Sequence, residues 1–286
     1  MNQVRTAPGT GVLRYGLSAT GLVLLLGLAT ASLWISAFIY RPSPLSNPDP
    51  QAWSLPTART VTIRSGPSDR LFGWWLAPPT ATAPVVILIH GRSANVSTRA
   101  PVAARLSADG FGVLLFDFRG YGRSTGRSTE RSLTEDAEAA YDWIRAQGIE
   151  GRRIIVLGQS LGDAPAAQLS ATRSVGALAL VSPFTSLPGA MADRFPWAAV
   201  RLLPWPRNRF EVQASVRTLP IPVLLIVSRD DGLAPYANSR WLAASARHPR
   251  WLEVNRQRHD GLLTAVSRSG RLSQALWASL PSARSP

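Results

Sequence analysis

An unbroken apolar run, Ile154 to Leu157, leads directly into Gly158-Gln159-Ser160-Leu161-Gly162, and an Ala-rich stretch, Ala164–Thr172, follows. The run is largely β-branched and lacks polar alternation, as in a strand covered on both faces of a parallel sheet. The stretch after it is helical in character. A serine held by G-x-S-x-G between such a strand and such a helix sits on a very tight turn, so small residues must flank it. Its hydroxyl then stands clear of the sheet at a helix N-terminus, where free N–H groups favour a developing negative charge. That is a setting for nucleophilic attack on a carbonyl. The bland counterpart is an ordinary glycine-rich strand–helix turn.

A serine hydroxyl is a weak nucleophile unless a base takes its proton. The chain has three histidines, and the order of elements sorts them. His90 ends the strand Val85–Ile89. His248 enters the last strand, Trp251–Val254, at the sheet edge opposite Ser160. His259 follows that strand's C-terminal end, on the same edge as Ser160. An acid to orient the base belongs at that edge too, where open parallel sheets gather ligand-facing groups. Two neighbours compete there, Asp230 and Asp231, both after the strand Pro222–Val227.

The elements that must position these residues alternate for most of the chain. Thr60–Arg64 and Leu71–Leu76 read as an antiparallel hairpin. The strands Val85–Ile89 and Gly112–Phe116 follow, with a short helix Val102–Asp109 between them. Ser132 with Glu135 has the form of a capping box opening a helix that Gly148 ends. After the serine turn come the strands Ala177–Val181 and Pro222–Val227, the helix Tyr236–Ala246, the last strand and a final helix Leu262–Leu280. Asp260 is placed to cap that helix. From Ser182 to Thr218 the alternation breaks into an apolar, proline-punctuated, aromatic segment.

Several motifs in this order resemble the α/β-hydrolase superfamily. They are the strand ending in His90-Gly91, the loop Asp117-Phe118-Arg119-Gly120-Tyr121-Gly122-Arg123-Ser124, the serine turn, and His259-Asp260-Gly261-Leu262 before the last helix. The nearest likeness is to membrane-anchored serine hydrolases of the α/β-hydrolase-domain-containing, serine aminopeptidase-like group. The resemblance implies an α/β fold with a mostly parallel central sheet, helices on both faces and a small cap insertion at about 184–218. It implies Ser160 as nucleophile and His259 as base. It selects Asp231 as the acid, because the family acid stands four residues before the proline, here Pro235. The backbone N–H groups of Arg92 and Leu161 become the oxyanion donors. His90 and the Asp117–Ser124 loop become structural braces. No cofactor and no metal are implied.

Composition narrows the partners. The net charge is +14, carried entirely by arginine because lysine is absent. The arginines stand singly or in pairs, with no basic helix, zinc spacing or stacking motif, so nucleic acid is not an expected partner. Attraction to an anionic membrane surface is the better use of the charge. The absence of cysteine excludes disulfides, thiolate catalysis and Cys-ligated metals. Tyr15 to Tyr40 carries no charged residue and is long enough to span a bilayer. The expected organisation is a short tail at 1–14, a transmembrane anchor at 15–40, a Pro-rich tether at 41–56 and the hydrolase domain at 57–286. Arg5, Arg14 and the α-amino group before the span, against Arg41 closely after it, put the N-terminus in the cytoplasm and the domain outside. The competing reading of the span is a cleaved signal peptide, since Ala29-Thr30-Ala31 has the small-x-small form.

The expected chemistry is two-step acyl transfer on an ester or related acyl bond. The apolar cap and the anchor point to a small acylated or lipid-like substrate. A peptidase or thioesterase on the same fold is an alternative, and a tethered binding or scaffold protein on an impaired hydrolase fold is another. The latter draws on Asp163, where similar proteins carry a small residue. A carboxylate one turn from Ser160 would repel a forming oxyanion and slow acylation, so Asp163→Gly would raise kcat. Alternatively it faces away and only complements the helix N-terminus.

Overall fold

The structure is a computed structural model that describes residues 21–22, 36–194 and 209–280. Eight strands form one sheet in the order β1-β2-β4-β3-β5-β6-β7-β8. Strands β1 (Arg59–Ser65) and β2 (Asp69–Leu76) make an antiparallel hairpin, and β2 joins β4 (Gly112–Phe116) antiparallel. From there β3 (Val85–Ile89), β5 (Ile154–Gln159), β6 (Ala177–Val181), β7 (Pro222–Val227) and β8 (His248–Glu253) are all parallel. The parallel strands β3 to β6 are buried along their whole length, which is why they read as continuous Val/Ile/Leu runs.

Helices flank the sheet: α1 (Val96–Ala108), α2 (Glu130–Ala146), α3 (Asp163–Thr172), α4 (Leu187–Arg194), α5 (Val212–Thr218), α6 (Tyr236–Ser245), α7 (Leu262–Arg268) and α8 (Arg271–Ser279). Two buried clusters separate by strand face. Val85, Ile87 and Ile89 belong to one, while Val86 and Leu88 belong to the other. That is the two-residue alternation of a strand covered on both sides.

Several local expectations are corrected. Helix α1 starts at Val96, because the Asn95 side chain accepts from the N–H groups of Ser97 and Thr98. The capping box of α2 pairs Thr129 with Ser132, so Ser132 lies inside the first turn and Glu135 is free to bind arginine. Strand β8 starts at His248 and not at Trp251. The final helix is two helices, broken at Gly270, whose φ of 74° is left-handed. Gly261 holds the N-cap position of α7 and Asp260 makes no cap.

The segment 41–56 is a packed strap and not an extended tether. Leu45, Pro50 and Leu55 are buried. Its carbonyls at Ser43, Pro44 and Pro48 accept from Asn95 Nδ2 and Trp74 Nε1. Prolines donate nothing along such a strap, so side chains of the domain supply the donors. Residues 36–39 are helical, and Ile39 and Tyr40 are buried in the core, with the Tyr40 ring beside Phe210. Most of the expected anchor lies outside the described residues. Among the described residues no helix is long and apolar enough to cross a membrane.

Candidate active site

Ser160 follows β5 at once and has φ 53°, a left-handed conformation for a residue with a side chain. Such strain persists only where the surroundings enforce it. The flanking glycines show how. A Cβ on Gly162 would lie 2.6 Å from the Ile89 carbonyl oxygen, and one on Gly158 would lie 2.7 Å from that of Gly162. Any other residue at either position would push β3, β5 and α3 apart.

The long loop after β8 brings His259 back to this turn. His259 Nε2 is 2.9 Å from Ser160 Oγ, and its Nδ1 is 3.0 Å from both carboxylate oxygens of Asp231. The N–H groups of Leu233 and Ala234 also donate to Asp231 Oδ1. Burial pushes the Asp231 carboxyl up, but the His259 hydrogen bond and charge, with the Ala234 N–H, outweigh it and hold it below the usual range. Asp230 is turned away, accepting from the N–H of Arg256 at 2.8 Å. Of the two competing acids, only Asp231 reaches the imidazole.

Arg92 and Leu161 line the same cavity as Ser160 and His259. A Cβ on Gly91 would lie 3.2 Å from the Gln159 carbonyl oxygen and 3.6 Å from Ser160 Cβ, so the chain carrying Arg92 passes directly against the serine turn. His90 has no part in the cavity lining. Its Nδ1 is 2.8 Å from the Gly91 carbonyl oxygen, and burial pushes its pKa down to about 4, which keeps it neutral. Asp117 accepts from the N–H of Val96, and Arg119 binds Asp136, Glu135 and Asp69, so this loop braces the framework.

Known proteins share this plan. A family model described as serine aminopeptidase, S33 matches residues 80–217. An uncharacterized protein of Mycobacterium tuberculosis is 38% identical over 216 residues, covering 74% of this chain and 75% of its own. The chain belongs to the α/β-hydrolase superfamily. A lysophosphatidylserine lipase of Danio rerio is 30% identical over 181 residues, 57% of this chain and 47% of its own. Among solved structures, the Pyrococcus furiosus esterase Pf2001 superposes with TM-score 0.69 at 21% identity, covering 85% of this chain and 98% of the esterase. At that identity the likeness speaks for the fold.

The cavity of this hydrolase measures about 710 Å³. Phe184, Leu187, Ala190 and Met191, from the segment read as a cap, give it apolar lining. Residues 195–208 of that segment, including Phe195-Pro196-Trp197 and Trp205, lie outside the described residues. Phe38, Ile39, Arg41 and Arg99 also line the cavity. None of these four stands in a recognisable motif, and three belong to stretches read as anchor and tether. Phe38, Ile39 and Arg41 were invisible in the chain because only the folding back of the N-terminal strap brings them to the site, whereas Arg99 comes from the first turn of α1.

Asp163 does not face the cavity. It is fully buried, and Oδ1 accepts from the N–H of Val181 at 3.3 Å. Burial holds its carboxyl well above the usual range, against the hydrogen bonds from Val181 and Ser160 N–H that lower it. The side chain enters the core beside Val181 and is absent from the cavity lining, so it does not face a forming oxyanion as the chain alone led one to expect.

Proposed function

We propose that this α/β-hydrolase cleaves an ester or related acyl bond through Ser160, His259 and Asp231, with an acyl-enzyme intermediate. What carries the reading is the single imidazole that reaches Ser160 Oγ through one nitrogen and the Asp231 carboxylate through the other. Ser160 Oγ attacks the carbonyl carbon while His259 Nε2 takes the hydroxyl proton. The carbonyl π electrons move to oxygen, giving an oxyanion for the N–H groups of Arg92 and Leu161. The oxyanion collapses, the C–O bond to the leaving alcohol breaks, and His259 returns its proton to that alcohol. Water then adds to the acyl carbon with His259 again as base, releasing the acid and restoring Ser160. Asp231 holds the proton on Nδ1, so that Nε2 can accept one, and steadies the imidazolium.

The apolar stretch before residue 36 is retained as a membrane anchor in this reading, with N-terminus inside and domain outside, while its expected end at 38–40 belongs to the domain. A lipid-like acyl substrate fits both the anchor and the apolar cap residues. The test is labelling by a fluorophosphonate, followed by hydrolysis of neutral esters of increasing chain length. Labelling lost in Ser160→Ala and turnover rising with chain length are expected. An unlabelled, inactive but folded wild type would instead favour a scaffold role.

A further inference from the structure

Among the described residues the catalytic cavity is lined by three arginines, Arg41, Arg92 and Arg99, and by one carboxylate, Asp260. None of the three arginines has a carboxylate within salt-bridge distance among the described residues, whereas Arg105, Arg119, Arg131, Arg173 and Arg229 each do. The architecture holds like charges together. The Tyr121 hydroxyl donates to the Arg92 carbonyl oxygen at 2.8 Å and accepts from the Arg41 N–H at 3.2 Å, which sets these residues side by side. The Arg92 guanidinium donates to the Phe38 carbonyl oxygen at 2.9 Å and lies over the Phe38 ring. That fixes its position without neutralising it. Arg99 is more deeply placed, its Nε buried and without a hydrogen-bond partner among the described residues. Burial pushes its pKa down to about 10, with Asp260 opposing, so it remains a cation at neutral pH.

Unpaired, partly desolvated guanidinium groups are costly unless an anion completes them. Guanidinium matches phosphate and carboxylate through paired N–H donors. The geometry points to an anion subsite formed by Arg41, Arg92 and Arg99 beside Ser160, so that the substrate is an acyl ester that also carries a phosphate or carboxylate. This rests on the esterase reading for the bond cleaved, but not for the anion bound. The N-terminal strap completes the subsite, since it contributes Arg41 and the Phe38 carbonyl that holds Arg92.

The experiment uses the full chain in nonionic detergent. A monodecanoylglycerol is compared with its phosphate ester, which places charge on the alcohol side. p-Nitrophenyl hexanoate is compared with p-nitrophenyl hydrogen adipate, which places it on the acyl side. At least one charged ester is expected to have the higher kcat/KM, and Arg99→Gln should cut that preference about tenfold. Binding of decyl phosphate and decanol to Ser160→Ala gives a readout independent of turnover. Decyl phosphate should bind more tightly, and adding Arg99→Gln should remove the difference. Equal binding of the two, or a preference unchanged by Arg99→Gln, would overturn the subsite. Neutral esters turned over with no charged preference would also overturn it while leaving the esterase reading intact. Decyl phosphate bound through Arg99 by a protein inert to every ester would support the subsite and sink the esterase reading. Inorganic phosphate competing as well as decyl phosphate would mean a free-anion site and overturn the substrate assignment.

Discussion

The Asp163 carboxyl accepts a hydrogen bond from the Val181 N–H, tying the first turn after the nucleophile to the end of the neighbouring strand. Asp163→Asn keeps the shape and an acceptor for the Val181 N–H, so kcat should stay within about threefold. Asp163→Gly should not raise kcat, because the carboxyl is turned into the core and away from the cavity, and the smaller residue leaves a void. A faster Asp163→Gly enzyme would restore the repulsion account.

The same residue gives a pH signature. Its native pKa lies above the unfolded value of about 3.9. The stability it contributes is fully present below that unfolded value and is lost as pH rises through the native one. Relative to Asp163→Asn, the wild type should therefore lose ground as pH is raised above about 4. Urea midpoints of the two proteins measured across the acid-to-neutral range test this; a constant gap would mean that the native pKa of Asp163 is not raised.

Ser160→Ala, His259→Ala and Asp231→Asn should each lower kcat by about a thousandfold or more, and combining them should cost little extra because they act as one unit. Asp230→Asn should keep most of the rate, since Asp230 holds the Arg256 N–H and does not reach His259. Steady-state kinetics on one ester decide between the neighbours. A larger loss from Asp230→Asn would reverse the assignment.

Arg119 is nearly buried and bonds to Asp136, Glu135 and Asp69 together. Replacing one partner of a buried ion pair leaves the others uncompensated, at a cost of about 3–5 kcal/mol. Arg119→Met should lower unfolding free energy by about that amount. Equilibrium urea denaturation measures it, and a loss under about 1 kcal/mol would show the cluster to be energetically idle.

The anchor reading predicts that the protein stays with membranes through a carbonate wash, and that protease added to inside-out vesicles leaves the domain intact. Release by carbonate would end the anchor reading, and digestion would reverse the orientation.

Much of the fold and part of the site were determined by the chain itself, and the reason is local. A strand buried on both faces must be continuously apolar, so Val85–Ile89 and Ile154–Leu157 announced themselves. A turn as tight as Gly158–Gly162 admits few residue types, so Ser160 was legible. His259 was separable from His248 because strand direction alone sends their flanking loops to opposite edges. What only the tertiary structure decided were relationships carried by no periodicity. Asp231 and Asp230 are adjacent in the chain, and the turn that lets just one of them face the imidazole depends on the Leu233 and Ala234 N–H groups holding it. The sequence placed Asp163 near the nucleophile but could not say that its side chain enters the core, where burial raises its pKa. Proline richness at 41–56 describes a backbone poor in donors, and such a backbone is extended alone or packed where Asn95 and Trp74 supply donors. That choice belongs to the fold, and with it the three arginines of the cavity meet.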